Sequence, residues 1–132
     1  MRPHMKVLLF GCPQECEAVA KLLADMRGGT GIVDYEHTQD LEQFDRHLAT
    51  WMPTLVIVLA DGAAGLESAF RSRQRRPNLP VFWFSDDREF GMQSYRLECA
   101  YFSTKPADQE KIGSALKRCA RMGIAYAATT IT

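Results

Sequence analysis

The chain has no excess of either charge: sixteen Lys and Arg balance sixteen Asp and Glu over 132 residues. Without a net field, nothing draws it globally to nucleic acid or to an anionic membrane. Cysteine is scarce: Cys12, Cys16, Cys99 and Cys119 form no CxxC pair. That density excludes a disulfide scaffold and implies reduced thiols. His4, His37 and His47 stand at no metal-ligand spacing from those cysteines. No apolar run approaches the ~18 residues of a membrane helix. Leu9-Phe10-Gly11-Cys12 looks like a lipoprotein cleavage box, but the apolar stretch before it is shorter than the ~7–15 residues of a secretory core. It reads as a strand. These absences point to a soluble, cytoplasmic chain with no membrane partner and one domain of ordinary core size.

Five apolar runs alternate with five amphipathic ones. Lys6 to Phe10 is continuously apolar after its lysine, as in a strand buried on both faces. Pro13 suits the first turn of a helix, in which Val19, Leu22, Leu23 and Met26 recur at helical spacing before Gly28-Gly29 ends it. Gly31 to Tyr35 is a weaker strand, suited to an edge. Leu41, Phe44, Leu48 and Trp51 mark a second helix, with Thr38 or Asp40 to cap it. Thr54 to Ala60 is the strongest strand, and Pro53 separates it from the helix before it. Leu66, Ala69 and Phe70 suggest helix three, ended by Pro77. Val81 to Phe84 is strand four, and Arg88 to Glu98 is a weakly patterned helix with Gly91 inside it. Tyr101 to Thr104 is strand five. Ile112, Ala115, Leu116 and Cys119 give the last helix, with Asp108 as its cap.

Strands alternating with helices over short loops imply a doubly wound α/β sandwich on a five-stranded parallel sheet. The flavodoxin-like order 2-1-3-4-5 is expected, with ligands bound beyond the carboxyl ends of the strands. Those ends are Gly11-Cys12, Leu59-Ala60-Asp61, Ser85-Asp86-Asp87 and Lys105. Arg71, Arg73, Arg75 and Arg76 form a basic cluster, read as the solvated end of helix three, with a partner patch as the alternative.

From about Lys6 to Arg121 the chain resembles response-regulator receiver domains of two-component systems, in detail those attached to LytTR-type DNA-binding domains. Pro53-Thr54-Leu55-Val56-Ile57-Val58 is similar to the lead-in to strand three. Gly65-Leu66-Glu67 resembles the opening of helix three, and Pro77-Asn78-Leu79-Pro80-Val81 the lead-in to strand four. Ser85 stands where the family has Ser or Thr, and Lys105-Pro106 matches its lysine and proline. Phe102 falls at its rotating aromatic, although an ordinary strand aromatic reads as well. The resemblance implies domain 1–122, with 123–132 a tail or the start of a linker.

The family holds Mg²⁺ with an acidic pair after strand one and an aspartate ending strand three, which accepts a phosphoryl group from a histidine kinase. Oxygen ligands and a hard cation are what a phosphoryl centre needs. Here the acidic pair is replaced by Gly11-Cys12, and the acceptor-equivalent position is Leu59. Asp61, of the same side-chain parity, is the nearest carboxylate, and reads either as an acceptor or as the first half of an Asp61-Gly62 turn. Lys105 is expected to pair constitutively with Asp61, Asp86 or Asp87. Glu15 and Glu17 read as residues complementing the dipole of helix one. Cys12 and Cys16 at that helix start suggest comparison with phosphocysteine domains of the phosphotransferase system, or a redox role, but no Gly/Ser-rich phosphate loop follows.

The expectation is an atypical, pseudo-receiver signalling module that is not an enzyme, works without phosphorylation and uses no cofactor or Mg²⁺. Receptor-like input from a histidine kinase and any fused output domain would lie outside this chain. It would form a homodimer through helix four, strand five and helix five, with Tyr95, Tyr101 and Arg118 contributing, and would not itself bind nucleic acid.

Overall fold

The computed structural model describes residues 4–27 and 32–121. Strands β1 (His4–Phe10), β2 (Ile32–Thr38), β3 (Leu55–Val58), β4 (Val81–Ser85) and β5 (Tyr101–Thr104) form one sheet in the order β2-β1-β3-β4-β5. Every neighbouring pair is parallel, with Val7 opposite Tyr35 and Leu55, and Trp83 opposite Val58 and Phe102. The flavodoxin-like expectation holds.

Parallel strands need helical crossovers, and the helices cover both faces. Helix α1 (Pro13–Arg27) and α5 (Gln109–Arg121) bury Val19, Leu23, Ile112 and Leu116 against Val7, Leu9, Leu55, Ile57, Phe82 and Phe84. The opposite face packs Leu8, Phe10, Val56, Val58 and Trp83 under α2 (Leu41–Arg46), α3 (Gly62–Arg75) and α4 (Gly91–Arg96). Side chains of a strand alternate between those two cores, so the apolar run in β3 is buried at all four positions. Each such side chain contributes about 1.5–3 kcal/mol on burial.

Several boundaries differ from the sequence reading. β3 spans Leu55–Val58 and not Thr54 to Ala60, because Thr54 leaves the strand and its hydroxyl accepts the Lys6 amide at 2.9 Å. β2 continues three residues past Tyr35, held along its length by β1. α2 is capped by Asp40, whose carboxylate accepts the Glu42 amide at 3.2 Å, and then widens into a π-helical turn at His47–Trp51. α3 starts at Gly62, ahead of the Gly65 opening read from the sequence. The weak fourth helix divides into a 3₁₀ turn, Arg88–Phe90, and the six residues of α4. Asp108 caps α5 as expected, accepting the Lys111 amide at 3.0 Å. The readings on Gly28-Gly29, Gly31 and 123–132 lie outside the described residues. No described helix is long and apolar enough to cross a membrane.

Candidate functional site at the carboxyl edge of the sheet

All five strands point the same way, so the ends of β1, β3, β4 and β5 converge on one edge. Leu59, just past β3, is 1% exposed, and its amide donates to the Phe10 carbonyl at 2.7 Å. Gly11 faces it so closely that a Cβ there would stand 2.9 Å from Leu59 Cβ. Real Cβ atoms do not approach to that distance in a packed interior. Gly11 and Leu59 are therefore one packing solution: glycine makes room for the leucine. An acid at Gly11 would have to displace Leu59.

The remaining charge is drawn together by Lys105. Its ammonium lies 3.0 Å from Glu15, in the first turn of α1, and 3.0 Å from Asp61, the residue before α3. The lysine side chain is 16% exposed, whereas Glu15 and Asp61 are nearly half exposed. Burial alone would lower the Lys105 pKa, but the hydrogen bonds it donates to Glu15 and Asp61, and their charge, outweigh it and hold the value above the usual lysine range. Glu15 also accepts from the Cys12 thiol at 3.3 Å. Asp61 accepts the backbone N–H of Asp86 at 3.3 Å, and Ser85 Oγ accepts that of Asp87 at 3.1 Å. One ion-paired network thus ties the loops after β1, β3, β4 and β5.

Three expectations are refined. Of the three carboxylates expected for it, Lys105 pairs with Asp61, while the backbone amides of Asp86 and Asp87 donate to Asp61 and to Ser85. Glu15 is not merely a dipole-complementing residue; its place one turn into α1 brings it under Lys105. The signal available in the sequence was the position of Glu15 three residues after Cys12, in a helix that opens at the carboxyl edge. Asp61 does precede a left-handed Gly62 (φ 62°), as a turn pair would, yet its side chain makes no capping bond and turns to Lys105.

As donors for Mg²⁺ these residues fit poorly. Gly11 has no side chain, Cys12 offers a soft thiol and Leu59 is apolar, while both carboxylates are already engaged by the Lys105 ammonium. No cluster of metal-ligating side chains occurs among the described residues. Cys16 lies buried behind Cys12, and burial, then the neighbouring Cys12 and Glu15, push its thiol up to about 12. Cys99 is likewise pushed up to about 12 by burial. Cys12, Cys16 and Cys99 are free thiols.

Phe102 is half-buried on the α4 side, its ring edge-on to Trp83 at 5.5 Å, with Phe90 5.4 Å from Trp83 beyond it. Tyr101 points to the other face, toward Phe82 and Phe84. A groove of about 300 Å³ between α4, β5 and α5 is lined by Tyr95, Tyr101, Phe102 and Arg118. The basic cluster is not a free solvated end. Arg71 and Arg75 pair with Asp45, Arg73 bonds the Pro77 carbonyl, and Arg76 bonds the Pro53 carbonyl at 3.1 Å.

Solved structures superpose on this architecture. The signal receiver domain of a signal transduction histidine kinase from Syntrophus aciditrophicus matches with TM-score 0.68 and 21% identity, over 89% of this chain and 91% of that one. The receiver-domain fold is that of this chain. An orphan response regulator of H. pylori gives TM-score 0.67 at 16% identity, over 89% of this chain and 98% of its own. A putative pilus assembly protein, CpaE, from Burkholderia thailandensis gives TM-score 0.68 at 17% identity with the same coverages. Neither a protein-family model nor a curated protein matches the sequence. At these identities the receiver fold is shared; the chemistry of the pocket has to be read from this chain's own residues.

Proposed function

We propose that this chain is an atypical receiver domain: a cytoplasmic signalling and interaction module, not an enzyme, that works without phosphorylation or Mg²⁺. The observation that supports it is the Lys105 ammonium held 3.0 Å from both Glu15 and Asp61. In a phosphoacceptor pocket the lysine answers a charge that comes and goes. Here its counter-charges are permanent parts of the chain, and Leu59 occupies the acceptor position. Input and output domains belong to partners or to segments outside this chain. The α4–β5–α5 groove, with Tyr95, Tyr101 and Arg118, is the contact surface for self-association, since tyrosine and arginine are residues on which interfaces concentrate their energy.

The test is intact mass and amide NMR with acetyl phosphate, and with beryllofluoride, each with Mg²⁺. The expected result is unchanged mass and no saturable shift around Asp61. Leu59→Asp alone is expected to remain unphosphorylated, because Gly11 and Cys12 bring no oxygen ligand. A phosphoryl mass gain in the wild type that vanishes in Asp61→Asn would replace this reading with the phosphoacceptor one, for which the half-exposed Asp61 beside Lys105 is the favouring observation. A gain lost instead in Cys12→Ser would favour cysteine phosphotransfer.

A further inference from the structure

The two edges of the sheet carry opposite charge around similar aromatic anchors. On β2, at one edge, the charged side chains are Asp34 and Glu36, both acidic, and both flank Tyr35. All three are exposed, Tyr35 at 43% with its ring stacked on His37. Glu36 has no ion-pair or hydrogen-bond partner among the described residues. The outer side of β2 also bears the row of backbone N–H and C=O groups that any edge strand presents.

The other edge is the reverse. Beside β5, Tyr95 is 82% exposed, and the groove it forms with Tyr101 and Phe102 has Arg118 as its charged lining residue. The second half of α5 carries Lys117, Arg118 and Arg121 and no acid. Arg96, on the exposed side of α4, and Arg118 are both without a partner among the described residues. The nearby acid, Glu98, lies 3.6 Å from Arg73 on the α3 side.

A two-fold interface brings the same patch of both copies together. On this face that gathers Arg118 of both copies with no acid in the groove lining to meet them, and like charges brought into one interface are unfavourable. The acidic β2 edge offers what the groove lacks: an aromatic ring of a size to enter it, with a carboxylate beside it to meet Arg118. Resting on the assignment of this groove as the contact surface, we propose that copies of this chain associate head to tail, the Tyr35–Glu36 edge of one seated in the Tyr95–Phe102–Arg118 groove of the next. Each pair then leaves one edge and one groove unused, so association grows with concentration and does not stop at two unless the rotation closes a ring. Because the attraction is between exposed charges, it weakens as salt is added.

Sedimentation velocity over a concentration series, without phosphodonor, tests it in wild type, Glu36→Arg and Arg118→Glu. Both substitutions are at exposed positions, and far-UV circular dichroism checks that each variant is folded. Each variant alone is expected to associate at least about tenfold more weakly than wild type. Mixing the two variants restores association, because the intact edge of one meets the intact groove of the other. Concentration-independent monomer in the wild type overturns the proposal. So does a dimer indifferent to Glu36→Arg, or one tightened when wild type is mixed with Arg118→Glu, both signs of a two-fold interface. A phosphoryl mass gain on Asp61 in the separate donor experiment would change the functional reading and leave these outcomes untouched.

Discussion

Two ion-pair clusters of similar size sit at opposite ends of legibility. In the α2–α3 cluster, Arg71 joins Glu67 one helical turn away, at 3.0 Å, and Asp45 at 2.6 Å. In the pocket, Lys105 joins Asp61 and Glu15, the latter 90 residues distant in the chain. The first ties one helix to its neighbour and rests partly on a spacing visible in any helix. The second ties loops that meet only because the strands are parallel and in a given order. A local cluster stiffens an element; a convergent one fixes the geometry of a site.

Lys105→Met should separate the two clusters most sharply. It leaves two carboxylates near each other without their shared cation, and a loss of about 2 kcal/mol in urea unfolding is expected from the charged hydrogen bonds removed. Adding Asp61→Asn and Glu15→Gln to that variant should recover much of the loss, since the repulsion goes with the charges. If the triple variant is no better than the single, Lys105 contributes packing and not charge. Arg71→Ala should cost less, because its partners remain in contact with solvent and with Arg75.

Alkaline titration sharpens the difference. The Lys105 pKa is raised in the folded state, so its contribution is fully present below the unfolded value of 10.5 and is lost as pH rises through the higher folded one. The stability gap between wild type and Lys105→Met should therefore be flat through neutral pH and close above about 10.5. The gap for Arg71→Ala should persist there, because the guanidinium, held above its ordinary range first by its hydrogen bond to Glu67, keeps its charge. The Cys99 thiol, raised from 9.0 to about 12 by burial, adds a loss of stability from pH 9 upward that is common to all variants and cancels in the difference, whereas the Cys16 thiol, whose shift Lys105 moderates, adds a larger loss in Lys105→Met. The smallest effect expected is that of Glu67→Gln, an exposed one-turn pair whose loss should be close to the scatter of the unfolding measurement.

The same contrast explains how much of the fold and site was readable in the chain. Apolar runs at Lys6, Thr54, Val81 and Tyr101 announced strands because burial on both faces leaves no polar positions, and that pattern is local. Lys105 and Ser85 stood out by their place at strand ends. The split of the fourth helix was weakly encoded, since Gly91 and a poor apolar stripe gave little periodicity. Glu15 was assigned to the helix dipole together with Glu17, because its place three residues after Cys12 is a weak signal; the direction of α1 separates them, one toward Lys105 and the other toward His37 at 3.9 Å. The arginine cluster looked solvated for a similar reason, its acceptors being a helix α2 carboxylate and backbone carbonyls from loops that the sequence does not place.

By itself, then, the order of residues determined five parallel strands, their sequence in the sheet and the edge on which a site must lie, because hydrophobic periodicity and crossover handedness are properties of short segments. Tertiary structure alone decided that Gly11 and Leu59 are one packing unit, that Glu15 and Asp61 share one ammonium, and that β2 and β5 present opposite charge at opposite edges. Those are distances between segments, and a distance across the fold is set by which elements pack together, not by the residues on either side of it in the chain.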